Sequence, residues 1–180
     1  MKSTLIIGGA RSGKSSFAQE LVLKSGEAVL FVATAEAGDE DMKRRIEKHR
    51  KTRPSAWKTL EATTHVGSQI TRNIGKAKTV IIDCITLLVN NIFQQYGGGT
   101  DADIIEKGVM AEIGELVNCI DRVDASFIIV TNEVGLGLVP ADRVSRLYRD
   151  LLGRANQMLA QHADEVILMV AGIPVKVKHG

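Results

Sequence analysis

Several features that would mark a specialised protein are scarce in this chain of 180 residues. The two cysteines, Cys84 and Cys119, follow no metal-ligand spacing, so we expect reduced thiols in a cytoplasmic protein. No apolar run approaches the ~20 residues that cross a bilayer, which excludes a membrane span. The chain enters its first apolar run at once, so we expect no signal peptide.

The chain also lacks a large excess of either positive or negative charge. The net charge is only +2, which is too small to imply a nucleic-acid partner. There is no internal repeat and no Pro/Ser-rich linker, and 44% of the residues are hydrophobic, as in ordinary globular proteins. We therefore expect residues 1–180 to form a single domain.

Residues 8–15 carry the most informative motif. Gly8, Gly13, Lys14 and Ser15 fit the phosphate-loop pattern, with an apolar run before them and a helical pattern after them. Backbone N–H groups of such a loop bind phosphate oxygens, Lys14 should reach the β/γ phosphates, and Ser15 should ligate Mg²⁺. The motif predicts nucleoside triphosphate binding, and a plain Gly-rich turn is the alternative.

Strand and helix patterns alternate along the chain. Apolar runs predict strands at 28–34, 79–83, 126–131 and 165–171, with a short extended segment at 57–61 and an edge strand at 175–178. Helical spacing predicts helices at 66–74, 86–95, 103–123 and 141–161, with Ile104 and Val144 facing inward. The pattern predicts an α/β protein, a single-domain P-loop NTPase-type three-layer fold with a mostly parallel central sheet. The glycines at 97–99 indicate a lid or a subunit contact.

A further helix, predicted from Asp39 as N-cap to about Arg53, is unusually basic. His49 lies among its cations, and nearby positive charge lowers a histidine's pKa, which keeps the imidazole neutral and nucleophilic near pH 7. The alternative is a solvated basic face with an incidental histidine. Contact with RNA finds no support because no aromatic residues are interleaved.

Polar residues follow two predicted strands at the edge where ligands of open α/β sheets bind. Asp83 ends an apolar strand, as in a Walker B segment, and should hold Mg²⁺ directly or through water; it can also cap the next helix. Asn132 and Glu133 are either site residues or part of a turn. The other histidines show no partner pattern, and we expect them at the surface: His65, His162 and His179.

The motifs together resemble one family over essentially the whole chain. They are residues 8–15, Ala33-Thr34-Ala35, His49-Arg50-Lys51-Thr52-Arg53-Pro54 with Trp57 and Glu61, Asp83-Cys84-Ile85-Thr86, Thr131-Asn132-Glu133-Val134-Gly135 and Gly153-Arg154-Ala155-Asn156-Gln157. In this order they are similar to the bifunctional adenosylcobinamide kinase/adenosylcobinamide-phosphate guanylyltransferase of cobalamin (vitamin B12) biosynthesis. The segments around His49 and Glu133 make the resemblance specific.

The resemblance implies two reactions. ATP or GTP phosphorylates the aminopropanol hydroxyl of adenosylcobinamide. A histidine then attacks the α-phosphate of GTP, releases pyrophosphate, and passes GMP to adenosylcobinamide phosphate to give adenosylcobinamide-GDP. The implied assembly is a homotrimer with sites near subunit interfaces, and no nucleic acid takes part.

The resemblance also implies the roles of individual residues. The guanylylated histidine falls on His49. The phosphate-loop and Walker B patterns add Lys14 as a catalytic residue and Ser15 and Asp83 as Mg²⁺ ligands, with the alternative that Asp83, like Glu61, accepts a hydrogen bond from guanine or ribose. The nucleotide contacts fall on Gly8, Gly9, Ala10, Arg11, Ser12, Gly13, Lys14, Ser15, Ala33, Thr34, Ala35, Arg50, Lys51, Thr52, Arg53, Glu61 and Asp83.

Two positions depart from the family pattern. Lys48 stands where some relatives have a second histidine, which leaves His49 as the only candidate nucleophile. Asp83 stands where relatives often have Glu, and the shorter side chain weakens a direct contact by about 1 kcal/mol or acts through water.

Two other functions remain as alternatives to the bifunctional enzyme. One is a P-loop small-molecule kinase in which His49 is structural. The other is a nucleotide-dependent switch or RNA-binding module that uses the basic helix, which predicts salt-sensitive RNA binding.

Overall fold

The computed structural model describes residues 2–36, 38, 40–96 and 100–179, apart from six side chains of the basic helix: Asp41, Met42, Arg45, Lys48, His49 and Thr52. Within these residues the strands are β1 (Ser3–Gly8), β2 (Val29–Ala33), β3 (Lys58–Glu61), β4 (Thr79–Asp83), β5 (Ser126–Asn132), β6 (Glu165–Val170) and β7 (Ile173–Lys178). The helices are α1 (Lys14–Leu23), α2 (Glu40–Thr52), α3 (Val66–Asn73), α4 (Ile85–Gln95), α5 (Ala102–Arg122) and α6 (Arg143–His162).

All of these strands form one sheet in the order β3-β2-β4-β5-β1-β6-β7. Strands β1 to β6 pair in parallel, and β7 pairs antiparallel with β6 at the edge. The predicted α/β class, with a mostly parallel sheet and an edge strand at its C-terminal end, is confirmed. Because parallel strands end on the same side, the loops after β1 to β5 meet at one edge, which we call the carboxyl edge.

Side chains of the central strands are buried on both faces of the sheet. Leu5, Val32 and Ile82 pack in the larger core, which also contains residues of α3, α4, α5 and α6. Ile6, Phe31 and Ile81 point to the other face, where they pack with Ala18 and Val22 of α1. Helices therefore cover both faces, and the predicted three-layer arrangement is confirmed.

Two side chains that were predicted to face inward are exposed, so these predictions are wrong. Ile104 is 52% exposed in α5, and Val144 is 54% exposed in α6. Both lie in the first turn of their helices, and periodicity gives the direction of a side chain but not whether another element covers that turn.

Other predictions about boundaries and caps have mixed outcomes. Cys84 is the N-cap residue of α4, so the alternative in which Asp83 caps this helix is wrong. Asp39 and the glycines at 97–99 lie outside the described residues.

Across the helices that are described, no segment has the length and apolar character needed to cross a membrane.

Candidate functional site

Strand register brings most of the predicted nucleotide contacts to the carboxyl edge. Gly8 lies opposite Asn132, and Ala33 lies opposite both Glu61 and Asp83. The ends of β3, β2, β4, β5 and β1 therefore form a continuous row. Residues far apart in the sequence meet there because every one of these strands runs in the same direction.

The loop between β1 and α1 needs glycine at two positions for different reasons. A Cβ on Gly8 would lie 2.5 Å from the backbone oxygen of Met169, so no larger residue fits without a shift of the chain. Gly13 has a φ of 93° as it starts α1, in the left-handed region that glycine tolerates. These glycines let the backbone turn tightly at the N-terminus of α1, where the helix dipole favours an anion.

The side chain of Lys14 is buried in this loop. Its Nζ donates hydrogen bonds to the backbone oxygen of Gly9 at 2.6 Å and to Oγ of Ser12 at 3.4 Å. Burial lowers the pKa of Lys14, and its electrostatic interactions with Cys84 and Asp83 act in the opposite direction. Lys14 and Asp83 are thus close enough to interact electrostatically, although β1, which precedes the phosphate loop, and β4, which ends at Asp83, are separated by β5.

Thr34, which follows β2, fastens that strand to β4. Its hydroxyl donates to the backbone oxygen of Cys84 at 2.7 Å and accepts from the Cys84 N–H at 2.9 Å. The Asn91 amide donates to the backbone oxygens of Thr34 at 2.8 Å and Thr63 at 3.1 Å. Asn91 is one of several polar residues of α4, and nothing in the sequence distinguishes it as the one that makes this buried link.

Arg53 is the most unusual side chain at this edge. Its guanidinium carbon lies 3.9 Å from the centre of the Phe31 ring, and Phe31 stacks on Trp57 with ring centres 6.4 Å apart. Its Nε and Nη1 are buried and have no hydrogen-bond partner in the described part of the chain. Burial lowers the pKa of Arg53, the charge of Asp83 raises it, and the charge of Arg50 lowers it. Buried donors of this kind are uncommon and call for a bound group or water.

The remaining predicted contacts on α2 and β3 are more accessible. Arg50 forms an ion pair with Glu61 at the end of β3, and both side chains are more than half exposed. Lys51 is exposed. His49 and Thr52 belong to the backbone of α2, and their side chains lie outside the described residues.

The sequence alone does not decide whether Asn132 and Glu133 belong to the site or to a turn. The structure places both residues beside the phosphate loop. The Glu133 N–H donates to the backbone oxygen of Gly8 at 2.9 Å. Asn156, on α6, accepts from the Thr131 hydroxyl at 2.7 Å and donates to the Asn132 backbone oxygen at 3.0 Å. The sequence assigned no role to Asn156, which now links α6 to the end of β5.

The expectation that the other histidines lie at the surface is confirmed, because His65, His162 and His179 are all exposed. His65 nevertheless has a neighbour that the sequence did not indicate: its Nδ1 lies 3.3 Å from a carboxylate oxygen of Glu115. Ligand atoms of His65, Glu112 and Glu115 lie within 4.8 Å of one another. Both Glu112 oxygens accept backbone N–H bonds from the start of α3, so helix capping accounts for this group without a metal.

A parallel sheet with a strand–phosphate loop–helix unit at its carboxyl edge defines the P-loop NTPase-type fold. The fold is shared with the RadB recombinase, with a TM-score of 0.52 and 14% identity over 93% of this chain and 73% of that one. A solved protein from Pyrococcus horikoshii gives a TM-score of 0.56 at 9% identity, over 99% of this chain and 86% of that one.

The chain belongs to the cobinamide kinase/cobinamide phosphate guanyltransferase family, whose profile matches residues 4–177. It is 43% identical to the bifunctional adenosylcobalamin biosynthesis protein CobU of Escherichia coli, over 97% of this chain and 98% of that protein. It is 37% identical to the corresponding CobP of Pseudomonas aeruginosa, over 97% of this chain and 96% of that protein. The predicted family is confirmed, and the alternative of a kinase without guanylyl transfer is not favoured.

Proposed function

We propose that this protein phosphorylates adenosylcobinamide with ATP or GTP and then transfers GMP from GTP to adenosylcobinamide phosphate through His49. Family membership over nearly the whole chain supports both activities. The clustering of the predicted contacts along one edge of the sheet supports a single nucleotide site that serves both reactions.

In both reactions the polyphosphate lies in the loop of residues 8–15. The backbone N–H groups and the N-terminus of α1 hold the phosphate oxygens, and Lys14 supplies a positive charge to the β and γ phosphates. Burial favours the neutral form of Lys14 and a bound polyanion favours the charged form, so nucleotide binding raises the pKa of Lys14 again.

The observation that carries the proposal is the guanidinium of Arg53, whose Nε and Nη1 are buried. A planar group with two donor nitrogens that have no partner among the described residues suits phosphate oxygens, and contact with the Phe31 ring holds it in place. Arg53 follows the end of α2 directly, one helical turn beyond the backbone position of His49. It therefore stabilises the charge that develops on the α-phosphate during attack by His49.

Guanylyl transfer proceeds in two displacements. A ring nitrogen of His49 forms a bond to the α-phosphorus of GTP while the bond to the β-phosphate oxygen breaks, and pyrophosphate leaves. A phosphate oxygen of the acceptor then bonds to the same phosphorus while the phosphorus–nitrogen bond breaks, which regenerates His49. The covalent intermediate divides one difficult transfer into two easier ones.

Ser15 and Asp83 fit a magnesium site because they offer a hydroxyl and a carboxylate at the carboxyl edge, and hard oxygen ligands suit Mg²⁺. Bound there, the ion would neutralise charge on the phosphates. The electrostatic effect of Asp83 on both Lys14 and Arg53 supports its position beside the polyphosphate.

We also propose that the chain is a single cytoplasmic domain that works as a homotrimer. The exposed apolar side chains of β7, which include Ile173, Val175 and Val177, offer a surface for contact between copies. The measurement that checks this proposal is the molar mass of the protein in solution.

The covalent step can be tested directly. The protein is incubated with Mg²⁺ and GTP labelled at the α-phosphate, then denatured, and label on the chain is counted. We expect acid-labile, alkali-stable label that is absent from His49→Asn and retained by the matched control His162→Asn, whose histidine is exposed on α6. Lys14→Ala should reduce both half-reactions. Bound nucleotide without label on the wild-type chain would reject guanylyl transfer and leave the kinase.

A further inference from the structure

The loop between β5 and α6 presents apolar side chains to solvent. Leu138 is 97% exposed and Leu136 is 86% exposed, the two highest values among the large hydrophobic residues that the structure describes. Val139, next to them, is 67% exposed. No charged residue occurs between positions 134 and 141. Contiguous exposed apolar residues usually mark a binding surface.

Hydrogen bonds hold this loop at both ends. The Glu133 carboxylate accepts the backbone N–H of Gly135 and, at 3.1 Å, that of Leu136. At the other end Nη1 of Arg146 donates to the backbone oxygens of Pro140 at 3.0 Å and Ala141 at 2.5 Å. The apolar residues between these anchors are therefore held away from the core by a defined backbone.

The loop is continuous with the nucleotide site. It leaves β5 at the carboxyl edge, and β5 pairs directly with β1, which carries the phosphate loop. The N–H of Glu133, the first residue after β5, bonds to the Gly8 oxygen at 2.9 Å. A molecule lying on this loop thus has access to phosphates held by residues 8–15.

We propose that residues 135–139, the acceptor loop, bind the corrinoid ring of the cobinamide acceptor through apolar contacts of Leu136 and Leu138. This inference rests on the proposed function, because both reactions bring the arm of the same acceptor to the phosphate loop. An uncharged support outside the phosphate loop lets the macrocycle rest there while its flexible arm reaches inward.

The size of the loop favours a small molecule over a second copy of the chain. A stable protein interface buries about 800 Å² on each partner, which is more than five residues of a single loop provide. A ring system held by a few apolar side chains matches the area available, as in other small-molecule sites. The exposed side chains of β7 give copies of the chain a separate surface.

The test compares the double variant Leu136→Gln/Leu138→Gln with Leu23→Gln. Leu23 is a matched control because it is 56% exposed and lies at the last residue of α1, far along the helix from the phosphate loop. Cobinamide binding is measured by equilibrium dialysis, using the visible absorbance of the corrinoid. Self-labelling by GTP, which requires no acceptor, is measured beside it.

We expect the double variant to bind cobinamide at least tenfold more weakly while its self-labelling stays unchanged, and we expect Leu23→Gln to behave as wild type. Unchanged cobinamide affinity of the double variant, or no binding by the wild-type protein, would overturn the proposal that the acceptor loop binds the corrinoid ring. Equal loss of self-labelling would make the loop part of the nucleotide site, and a lower molar mass would make it a contact between copies; either result also overturns the inference. Wild-type protein that binds cobinamide but takes no label rejects the proposed function alone.

Discussion

Two regions of this molecule bury polar atoms of charged side chains, and the regions differ in whether those atoms have hydrogen-bond partners. The first is the α3–α5 corner, formed by His65, Val66, Ser68, Glu112 and Glu115. Glu112 is only 5% exposed, and its two carboxylate oxygens accept the backbone N–H groups of His65 and Val66, each at 2.8 Å. At the carboxyl edge, Arg53 keeps two buried N–H donors without a partner among the described residues.

This difference separates a group that stabilises the fold from one that binds a ligand. A buried charge whose hydrogen bonds are complete contributes to stability, and its loss leaves other groups unpaired. A buried charge whose bonds are incomplete costs stability until a ligand completes them. The two regions should therefore respond in opposite ways to mutation.

The largest stability effect is expected at Glu112. Glu112→Ala removes the acceptor of two N–H groups at the start of α3, and we expect the free energy of unfolding to fall by about 3 kcal/mol. Urea unfolding measures this loss, and GTP affinity should not change. Glu112→Gln keeps one acceptor oxygen and should lose about half as much. If Glu112→Ala had normal stability but bound GTP weakly, Glu112 would be a ligand-binding residue rather than a structural one.

The next effect concerns binding at Arg53. Arg53→Met keeps an apolar stem over Phe31 but removes the two donor nitrogens that have no partner among the described residues. We therefore expect GTP to bind about 30-fold more weakly, or about 2 kcal/mol. The stability of the free protein should be unchanged or slightly higher because a buried charge has been removed. Calorimetric titration with GTP and urea unfolding give the two values. A large loss of stability with normal GTP affinity would make Arg53 structural.

A smaller effect is expected from Cys84 at high pH. Burial, with the nearby charge of Asp83, raises the pKa of this thiol from 9.0 to about 11. The folded protein thus favours the protonated thiol, so its contribution is complete below pH 9 and is lost as pH rises through 11. At pH 10 this loss is about 1 kcal/mol.

Cys84→Ser tests this pH dependence because serine does not ionise in that range. Urea unfolding under reducing conditions at pH 8 and pH 10 should show about 1 kcal/mol less alkaline destabilisation in the variant than in wild type. Identical pH dependence of the two proteins would mean that the thiol does not titrate within this window.

The smallest effect is expected at the exposed ion pair of Arg50 and Glu61. Both side chains are more than half exposed, so solvent screens their attraction. A double-mutant cycle with Arg50→Gln and Glu61→Gln should give a coupling free energy below about 0.5 kcal/mol in unfolding experiments. Coupling above about 1 kcal/mol would place this pair with the α3–α5 corner as a structural contact.

Much of the fold and part of the site could be predicted from sequence. The phosphate loop was readable because Gly8, Gly13, Lys14 and Ser15 are adjacent in sequence and their types are dictated by backbone geometry and phosphate chemistry. Asn91 and Asn156 could not be assigned, since their partners Thr34 and Thr131 lie 57 and 25 positions away. A single polar residue on a helix gives no sign of which distant backbone or side-chain group it will meet.

The sequence by itself determined the α/β class, the phosphate loop and the family, because apolar periodicity and short motifs are local properties of the chain. Only the tertiary structure decided which charged groups are buried with partners and which are buried without them. Arg53 looks like any other cation of a basic helix in the sequence, and so does Glu112 among the acids of α5. Their difference arises from strands and helices that pack around them, and packing is fixed by contacts between residues far apart in the chain.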